Sequence, residues 1–593
     1  MSETVATLAE MFERQARKLG PRPLLKSKEG KAWRDHSWTE ISDAAARLRG
    51  GLLAMGVKPA DRIAILAENC PEWVIVDQAV LGAGGVVVPL YTTSGNEETA
   101  HVLDDSGTQI VAVHGDEMLK KVLALAPNLP QLKTIVASHP GASPAAPFNR
   151  SPQVVTIEAA SSGAPAAPIE GSREDLATFI YTSGTTGASK GVMLTHGNVL
   201  SNAEDSLDAL GLNGNDTTLS FLPVAHSFER TAGHYTVMMA SGTIAYAEGL
   251  GQIASNLTEI NPTVVLTVPR LLEVIYSRVM KTVDSSPAFR QRMFHAAIAV
   301  GSRAAEYRAR GAAVPPHLAL PMALFRKLVF ERVRGLFGTR LRYLISGGAP
   351  LPVDINRFLS AAEVPIVEGY GLTEAAPVVS VNLHGRNKIG TVGRPLRRVE
   401  AKTAADGELL LRGPNIMKGY FHRDQDTAET IDSEGWLHTG DIATIDSDGY
   451  IKITDRKKEI IVLSGGKNVS PAYVENKLTH DKFIAQACVF GDRQKHLGAL
   501  VVLDTEALAD FIKQNDLAGR SPEEVVESPA LRKLVQQRIY EVNKQVSDVE
   551  AVVRFKILPQ PFTQENGELT PSLKIRRRMV AQHYRDAVAE LFE

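Results

Sequence analysis

Apolar residues along this chain gather into short runs bounded by Gly, Pro or Ser, and stretches of helical spacing separate the runs. That alternation predicts α/β layers, with the runs as buried strands and the stretches as helices packed over them. Strands are expected at residues 62–66, 85–90, 176–181, 263–268, 341–345 and 365–368. A polar, glycine-rich turn follows three of them at once, at 182–191, 346–350 and 369–374. Ligands of open α/β sheets bind outside the carboxyl ends of strands, so these turns are expected to line one crevice.

Two stretches depart from the pattern. Between residues 138 and 172 the composition drifts to Pro, Ala, Ser and Gly, which reads as a surface excursion rather than a domain boundary. Residues 290–342 hold eleven Lys and Arg against only Glu306 and Glu331. Within them Phe325, Val329, Val333 and Leu336 recur at the spacing of one apolar helix face, with Arg326, Lys327, Arg332 and Arg334 available to the other. A solvated helix accounts for that arrangement, and so does a surface for anionic phosphates or headgroups. After Asp455 comes a charged break, a strand-like segment at 459–463 and a Ser-Gly-Gly turn, then helices and strands to the end. The expected organisation is a large, multi-layered α/β domain over residues 1–456 and a small, mobile α+β domain over 457–593.

Composition narrows the function without naming it. A chain of 593 residues with 44% apolar and 22% charged residues has the balance of a globular enzyme, and its net charge of −2 offers no general attraction for nucleic acid. Of the 2 cysteines, Cys70 and Cys488 stand far apart without metal-ligand spacing, so neither a disulfide framework nor a zinc site is expected. Acids and bases interrupt residues 1–20, and no apolar run approaches the roughly 18 residues that span a bilayer. A cytoplasmic protein with at most a peripheral contact to an anionic membrane is expected, and the oligomeric state stays open.

The sharpest chemistry lies in Tyr181-Thr-Ser-Gly-Thr-Thr-Gly-Ala-Ser-Lys190-Gly191. Three glycines permit close backbone approach, five Ser and Thr hydroxyls offer donors and one lysine supplies charge, a composition suited to polyphosphate. It is not a Walker loop, because Ala188 and Ser189 separate the last loop glycine from the lysine.

Four ordered motifs, YTSGTTGASKGVMLTH from Tyr181, GYGLTE from Gly369, GWLHTGD from Gly435 and DRKKEIIVLSGGKNVSP from Asp455, together resemble the adenylate-forming enzymes. That superfamily embraces acyl- and aryl-CoA synthetases, luciferases and peptide-synthetase adenylation domains. VPLYTTSG from Val88, FLPVAHSFER from Phe221, VPRLLEVIY from Val268 and ELTPSLKIRR from Glu568 resemble its long-chain fatty-acyl-CoA synthetase branch, as does the basic insertion ahead of LRYLISGGAPL. The resemblance implies two steps. A long-chain fatty carboxylate attacks the α-phosphate of ATP to give acyl-AMP and pyrophosphate; the thiol of coenzyme A then takes the acyl group and AMP leaves.

The same resemblance assigns roles. Thr182, Ser183, Gly184, Thr185, Thr186, Gly187 and Lys190 hold the β- and γ-phosphates. Gly347, Gly348 and Ala349 form the turn against the adenine, Glu368, Gly369 and Gly371 belong to the nucleotide wall, and Tyr370 packs on the base. Thr373 meets the α-phosphate and Glu374 holds Mg²⁺, a hard cation that takes oxygen ligands. Asp441 and Arg456 meet the ribose. Lys574 reaches the α-phosphate and carboxylate, so the expected catalytic group is Lys574, Glu374, Thr373 and Thr182. Leu573 stands before that lysine where the commoner superfamily pattern has Gly. His226 lies beside the acyl carboxylate in a positioning role. Lys458 is the hinge of the small domain, and Gly465 and Gly466 approach the pantetheine arm after it turns. Two other readings remain at this point: a fatty-acyl-AMP ligase that loads a carrier protein, and a catalytically silent nucleotide- or lipid-binding protein.

Overall fold

The computed structural model describes residues 5–138, 152–182, 188–383, 385–457, 459–465, 467–515, 517, 519–570 and 574–593. Among them an eight-stranded sheet runs, in spatial order, through Gly419–Tyr420, Lys190–Thr195, Leu176–Thr182, Val86–Leu90, Arg62–Leu66, Ile110–His114, Thr134–Ser138 and Gln153–Thr156. A nine-stranded sheet runs through Arg394–Pro395, Val378–Asn382, Ile366–Gly371, Tyr343–Ser346, Val264–Thr267, Thr217–Ser220, Thr243–Tyr246, Pro23–Glu29 and Ala32–Ser37. Each of the six expected strands is present, with ends displaced by no more than a few residues.

Those strands are apolar throughout because both faces of each sheet are covered. On Arg62–Leu66, Ile63 and Ile65 join the core between the two sheets, which is filled by helices Leu8–Leu19, Trp38–Ala54, Pro71–Gly82 and His196–Leu210. Ala64 and Leu66, at the alternate positions, pack outward with Val102, Leu103 and Val122. The far face of the nine-stranded sheet is covered likewise by Phe294, Ala297, Phe330 and Phe358. Helix and sheet layers therefore alternate across the large unit.

The low-complexity stretch after Ser138 returns as the Gln153–Thr156 edge strand and a short helix, which agrees with a surface excursion; residues 139–151 lie outside the described ones. The basic stretch is helical, and three of its four expected apolar positions pack inward: Val329 and Val333 are buried and Phe325 is half-buried against the same core. A π-helical segment, Arg326–Phe330, adds Phe330 to that face. Leu336 departs from the expectation: it lies just past helix Glu331–Gly335 and is exposed, while Phe337 is buried. Beyond residue 457, strands Ile484–Phe490, Leu497–Leu503 and Val552–Leu558 form a three-stranded sheet with its own core against Pro471–Thr479 and Pro529–Asn543. No helix among the described residues is long and apolar enough to cross a membrane.

One buried polar cluster joins the large unit's parts. Arg230 and Asp77 are each 2% exposed and their side chains meet at 2.5 Å. Arg230 also donates to Thr178 Oγ1 at 2.6 Å, and the Tyr235 hydroxyl donates to the other Asp77 oxygen at 2.8 Å. Helix Pro71–Gly82, the Leu176–Thr182 strand and the π-helical turn Glu229–Tyr235 are thus tied at one point. Asp77→Ala would leave a buried guanidinium without its counter-charge, at a cost of about 3–5 kcal/mol. Urea denaturation is expected to show a lower midpoint with unchanged slope; an unchanged midpoint would contradict this account.

Candidate active site

Carboxyl ends of strands from both sheets open onto one cleft of about 1330 Å³. The antiparallel register of the eight-stranded sheet pairs Thr182 with Lys190, so both stand at the mouth of the hydroxyl-rich loop. Ser183, Gly184, Thr185, Thr186 and Gly187 lie outside the described residues. Lys190 Nζ sits 2.9 Å from Asp426 Oδ1 and 5.2 Å from the centre of the Tyr420 ring. The Tyr420 hydroxyl in turn donates to Glu374 Oε1 at 2.9 Å. Tyr420 therefore stands between the lysine expected at phosphate and the carboxylate expected at the cation, and holds both at the cleft wall.

The opposite wall comes from the nine-stranded sheet. Gly347 and Gly348 line the cleft, and a Cβ on Gly347 would meet the Phe228 ring at 3.0 Å, so a larger residue there would press on that ring. Ala349 is exposed and is not among the cleft-lining residues. Glu368 does not present its carboxylate to the cleft either. It is buried behind the wall, accepting from the Leu351 amide and from Asn356 Nδ2 at 3.2 Å each, and burial pushes its pKa up to about 7. Its contribution is to brace the turn that carries Gly347 and Gly348. Gly369, Tyr370, Gly371 and Thr373 all reach the cleft. A Cβ on Gly371 would fall 2.1 Å from the Pro377 carbonyl oxygen, which explains glycine there.

A separate antiparallel sheet supplies the third side. Strands Leu437–Ile445 and Ile451–Arg456 pair with Asp441 directly opposite Arg456, and Arg456 Nε donates to Asp441 Oδ1 at 3.1 Å. Tyr370 donates its hydroxyl to the second Asp441 oxygen, which links this sheet to the nine-stranded one. Lys574 enters from the small unit held against Thr570: Leu569 bridges Ile575, the Thr570 amide donates to the Lys574 carbonyl at 2.8 Å, and the Lys574 amide donates to Thr570 Oγ1 at 3.0 Å. Within the neighbouring basic run Arg577 is held by Glu475 at 2.6 Å, so that arginine is a structural anchor and not part of a solvated tract.

Lys574 is open to the cleft along its side chain, yet protein crowds the ammonium from several sides. That crowding first, and the Arg456 charge second, lower its pKa to about 8, with Asp441 and Glu459 opposing the shift. His226 Nδ1 accepts from the Phe228 amide at 3.1 Å, which leaves the proton of a neutral ring on Nε2. Burial first and the Lys574 charge second lower the His226 pKa to about 4, so the ring is neutral near pH 7. Gly465 is exposed and outside the cleft, while Lys458 and Gly466 lie outside the described residues.

Three residues beyond the expected set line the same cleft. Ser227 Oγ lies 3.2 Å from Thr373 Oγ1, and Tyr420 and Asp426 hold Glu374 and Lys190 as described. Ser227 follows His226 within the FLPVAHSFER motif, so the motif itself carried a signal. Tyr420 and Asp426 follow no local pattern that would connect them to a loop more than two hundred residues earlier.

Two layered sheets, an antiparallel lobe and a lysine-bearing small unit, all converging on one charged cleft, define a multi-part α/β enzyme. The description "AMP-binding enzyme" matches residues 12–421 and "AMP-binding enzyme C-terminal domain" matches residues 458–593, and the chain belongs to the AMP-binding enzyme family. It is 34% identical over 568 residues to long-chain-fatty-acid–CoA ligase FadD15 of Mycobacterium tuberculosis, covering 94% of this chain and 93% of the relative. It is 30% identical over 624 residues to long-chain-fatty-acid–CoA ligase 1 of Homo sapiens, covering 100% and 87%. Among solved structures, the adenylation domain of a carboxylate reductase from Mycobacterium chelonae superposes with a TM-score of 0.78 at 23% identity, over 100% of this chain and 92% of that one. ATP-bound MatB from Rhodopseudomonas palustris gives 0.70 at 23% identity, over 98% and 99%. The adenylate-forming fold is thereby established.

Amine-selective acylation of the ligand-free protein, read by peptide mass spectrometry, is expected to modify Lys574 with a midpoint near pH 8. A midpoint in the ordinary lysine range of about 10.4 would show that the cleft does not perturb it.

Proposed function

We propose that the protein is an ATP-dependent long-chain fatty-acid–CoA ligase that forms an acyl-adenylate and transfers its acyl group to coenzyme A. The observation that carries this reading is the convergence of Lys190, Glu374, Asp441, Arg456 and Lys574 on one cleft, in a chain whose relatives bear that ligase name over nearly its whole length. Those names also favour coenzyme A over a carrier protein as acceptor.

Adenylation brings two anions together and builds charge on the departing pyrophosphate, so cations and aligned donors lower its barrier. Lys190, with Thr182 and the loop between them, receives the β- and γ-phosphates. Asp441 has two oxygens suited to both ribose hydroxyls, and Arg456 fixes the carboxylate that accepts them. Thr373 and Lys574 meet the α-phosphate, and Lys574 also draws the fatty carboxylate toward it. The Glu374 carboxylate, steadied by Tyr420, fits a hard divalent cation. Bound Mg²⁺ would neutralise phosphate charge there. His226 positions the acid without exchanging protons, since a fatty carboxylate is already ionised near neutrality.

After adenylation, Lys574 stands where the thiol must approach. We assign residues 457–593 to a mobile domain that turns about Lys458, withdrawing Lys574 and bringing Gly465 and Gly466 to the pantetheine arm. Fatty-acid-dependent exchange of pyrophosphate into ATP tests the first step. Lys574→Ala is expected to lose that exchange by at least a hundredfold while retaining transfer from supplied acyl-AMP to coenzyme A; equal loss of both would overturn the two-position scheme. The contribution of His226 is expected to stay level from about pH 6 to 8, because its neutral form persists across that range. A pH dependence abolished by His226→Phe would refute the positioning role.

The lipid substrate also gives meaning to the basic helical stretch. Leu320, Leu324 and Leu328 are 76%, 58% and 43% exposed at four-residue spacing, and Lys327 and Arg332 are exposed beside them. An apolar stripe flanked by cations suits the surface of an anionic membrane. Vesicles containing phosphatidylglycerol are expected to co-sediment the protein in a salt-sensitive way, and the double variant Leu320→Asn/Leu324→Asn to reduce this several-fold. Equal binding to neutral vesicles would remove the proposal.

A further inference from the structure

Outside the residues that line the cleft, at the carboxyl ends of strands of the eight-stranded sheet, three side chains of metal-ligating type converge. Cys70 caps the amino terminus of helix Pro71–Gly82, Glu72 lies in that helix's first turn, and His114 ends the Ile110–His114 strand. Parallel pairing of Leu66 with Val113 brings the segment leading to Cys70 alongside the end of the histidine's strand. A sulfur, a carboxylate oxygen and an imidazole nitrogen consequently lie within 4.8 Å of one another. The sequence gives no hint of this, because residues 70–72 and His114 are separated by a strand and two helices.

We propose that Cys70, Glu72 and His114 form a binding site for a borderline divalent cation of the zinc class. Thiolate, carboxylate and imidazole together match that class, whereas Mg²⁺ prefers oxygen ligands alone and belongs at Glu374. Three protein ligands leave a fourth tetrahedral position for water. His114 has the outer support such ligands carry, since its Nδ1 lies 2.9 Å from Ser138 Oγ and the ring is thereby held in plane. The Cys70 thiol is the buried member of the group and Glu72 and His114 are partly exposed, with a small cleft lined by Glu72, His114 and Ser138 beside them, so a cation would enter from their side. Binding replaces the Cys70 thiol proton with the metal: the sulfur–hydrogen bond breaks, a sulfur–metal bond forms and one proton enters solution, with no change of oxidation state. The cation would clip the start of helix Pro71–Gly82 to the strand edge. That helix also carries Asp77, so the clip would reinforce the buried pair with Arg230.

Cobalt(II) added to the chelator-treated full chain provides the test, because thiolate ligation gives a near-ultraviolet charge-transfer band. One equivalent is expected to produce the band, and Zn²⁺ to displace it. Cys70→Ser is expected to abolish the band, while Cys488→Ala, which alters the other cysteine, retains it. Glu72→Gln and His114→Gln are each expected to weaken cobalt binding at least tenfold, with circular dichroism showing that they fold. A band that survives Cys70→Ser, or no band in the folded wild-type chain, would overturn the assignment. The readout involves no fatty acid or nucleotide, so it stands or falls independently of the ligase reading.

Discussion

The buried ion pair between Arg230 and Asp77 is the constraint on which the active-site geometry rests. Two charges out of water are costly unless hydrogen bonds replace the lost solvent, and here each guanidinium nitrogen has a partner among Tyr235, Thr178 and Asp77 while both Asp77 oxygens accept. The arginine cannot move without abandoning partners on a helix, a strand and its own π-helical turn. His226 and Ser227 lie immediately before that turn, and Thr178 lies on the strand that delivers Thr182 to the phosphate loop. A fixed Arg230 therefore sets the distance between the wall that carries His226 and Ser227 and the strand end that carries Thr182, which a flexible core of similar apolar content would leave adjustable.

Charge in the cleft is arranged around that frame in opposing pairs. Lys190 faces Asp426, Arg456 faces Asp441, and Tyr420 gives Glu374 a hydrogen bond. Each acid keeps a cation in place before any phosphate arrives, so the triphosphate meets groups already oriented and loses less to reorganisation. Lys574 differs from the others. Its nearest charges include Arg456, which repels it, and crowding disfavours its ammonium further. A cation held in such surroundings gains most when an anion enters, a bias suited to a group that engages only after nucleotide has bound.

Much of this was legible in the sequence, for identifiable reasons. Strands buried on both faces read as plain apolar runs, so their positions and the glycine-rich turns beyond them could be located before any coordinates. Dense motifs likewise pointed to Thr182, Lys190, Glu374, Asp441 and Lys574, remote in the chain, and all five line the one cleft. What sequence could not show was contact across distance. Glu368 sits in a motif among cleft residues, yet strand alternation turns its carboxylate to Asn356. Leu336, expected inside, lies just past the end of helix Glu331–Gly335 and is exposed, and Phe337 takes the buried place, a helix end that apolar spacing alone does not mark. Tyr420, Asp426 and the Cys70–Glu72–His114 group depend on strand neighbours remote in the chain.

The placement of the proposed hinge follows from the same strand logic. Ile451–Arg456 carries Arg456 at its last position, opposite Asp441, and the chain passes directly to residue 457. Lys457 Nζ is clasped by Asp406 Oδ2 at 2.6 Å and Glu408 Oε2 at 2.9 Å, two acids of the large unit's antiparallel sheet. Although these pairs are partly exposed and individually weak, they share one lysine with the register of a hydrogen-bonded strand. Rotation upstream of residue 457 would have to break the Asp441–Arg456 pair and the clasp together, whereas rotation just beyond it breaks neither. A turn at the proposed hinge would thus leave the Asp441–Arg456 pair in place while Lys574 moved with the small unit.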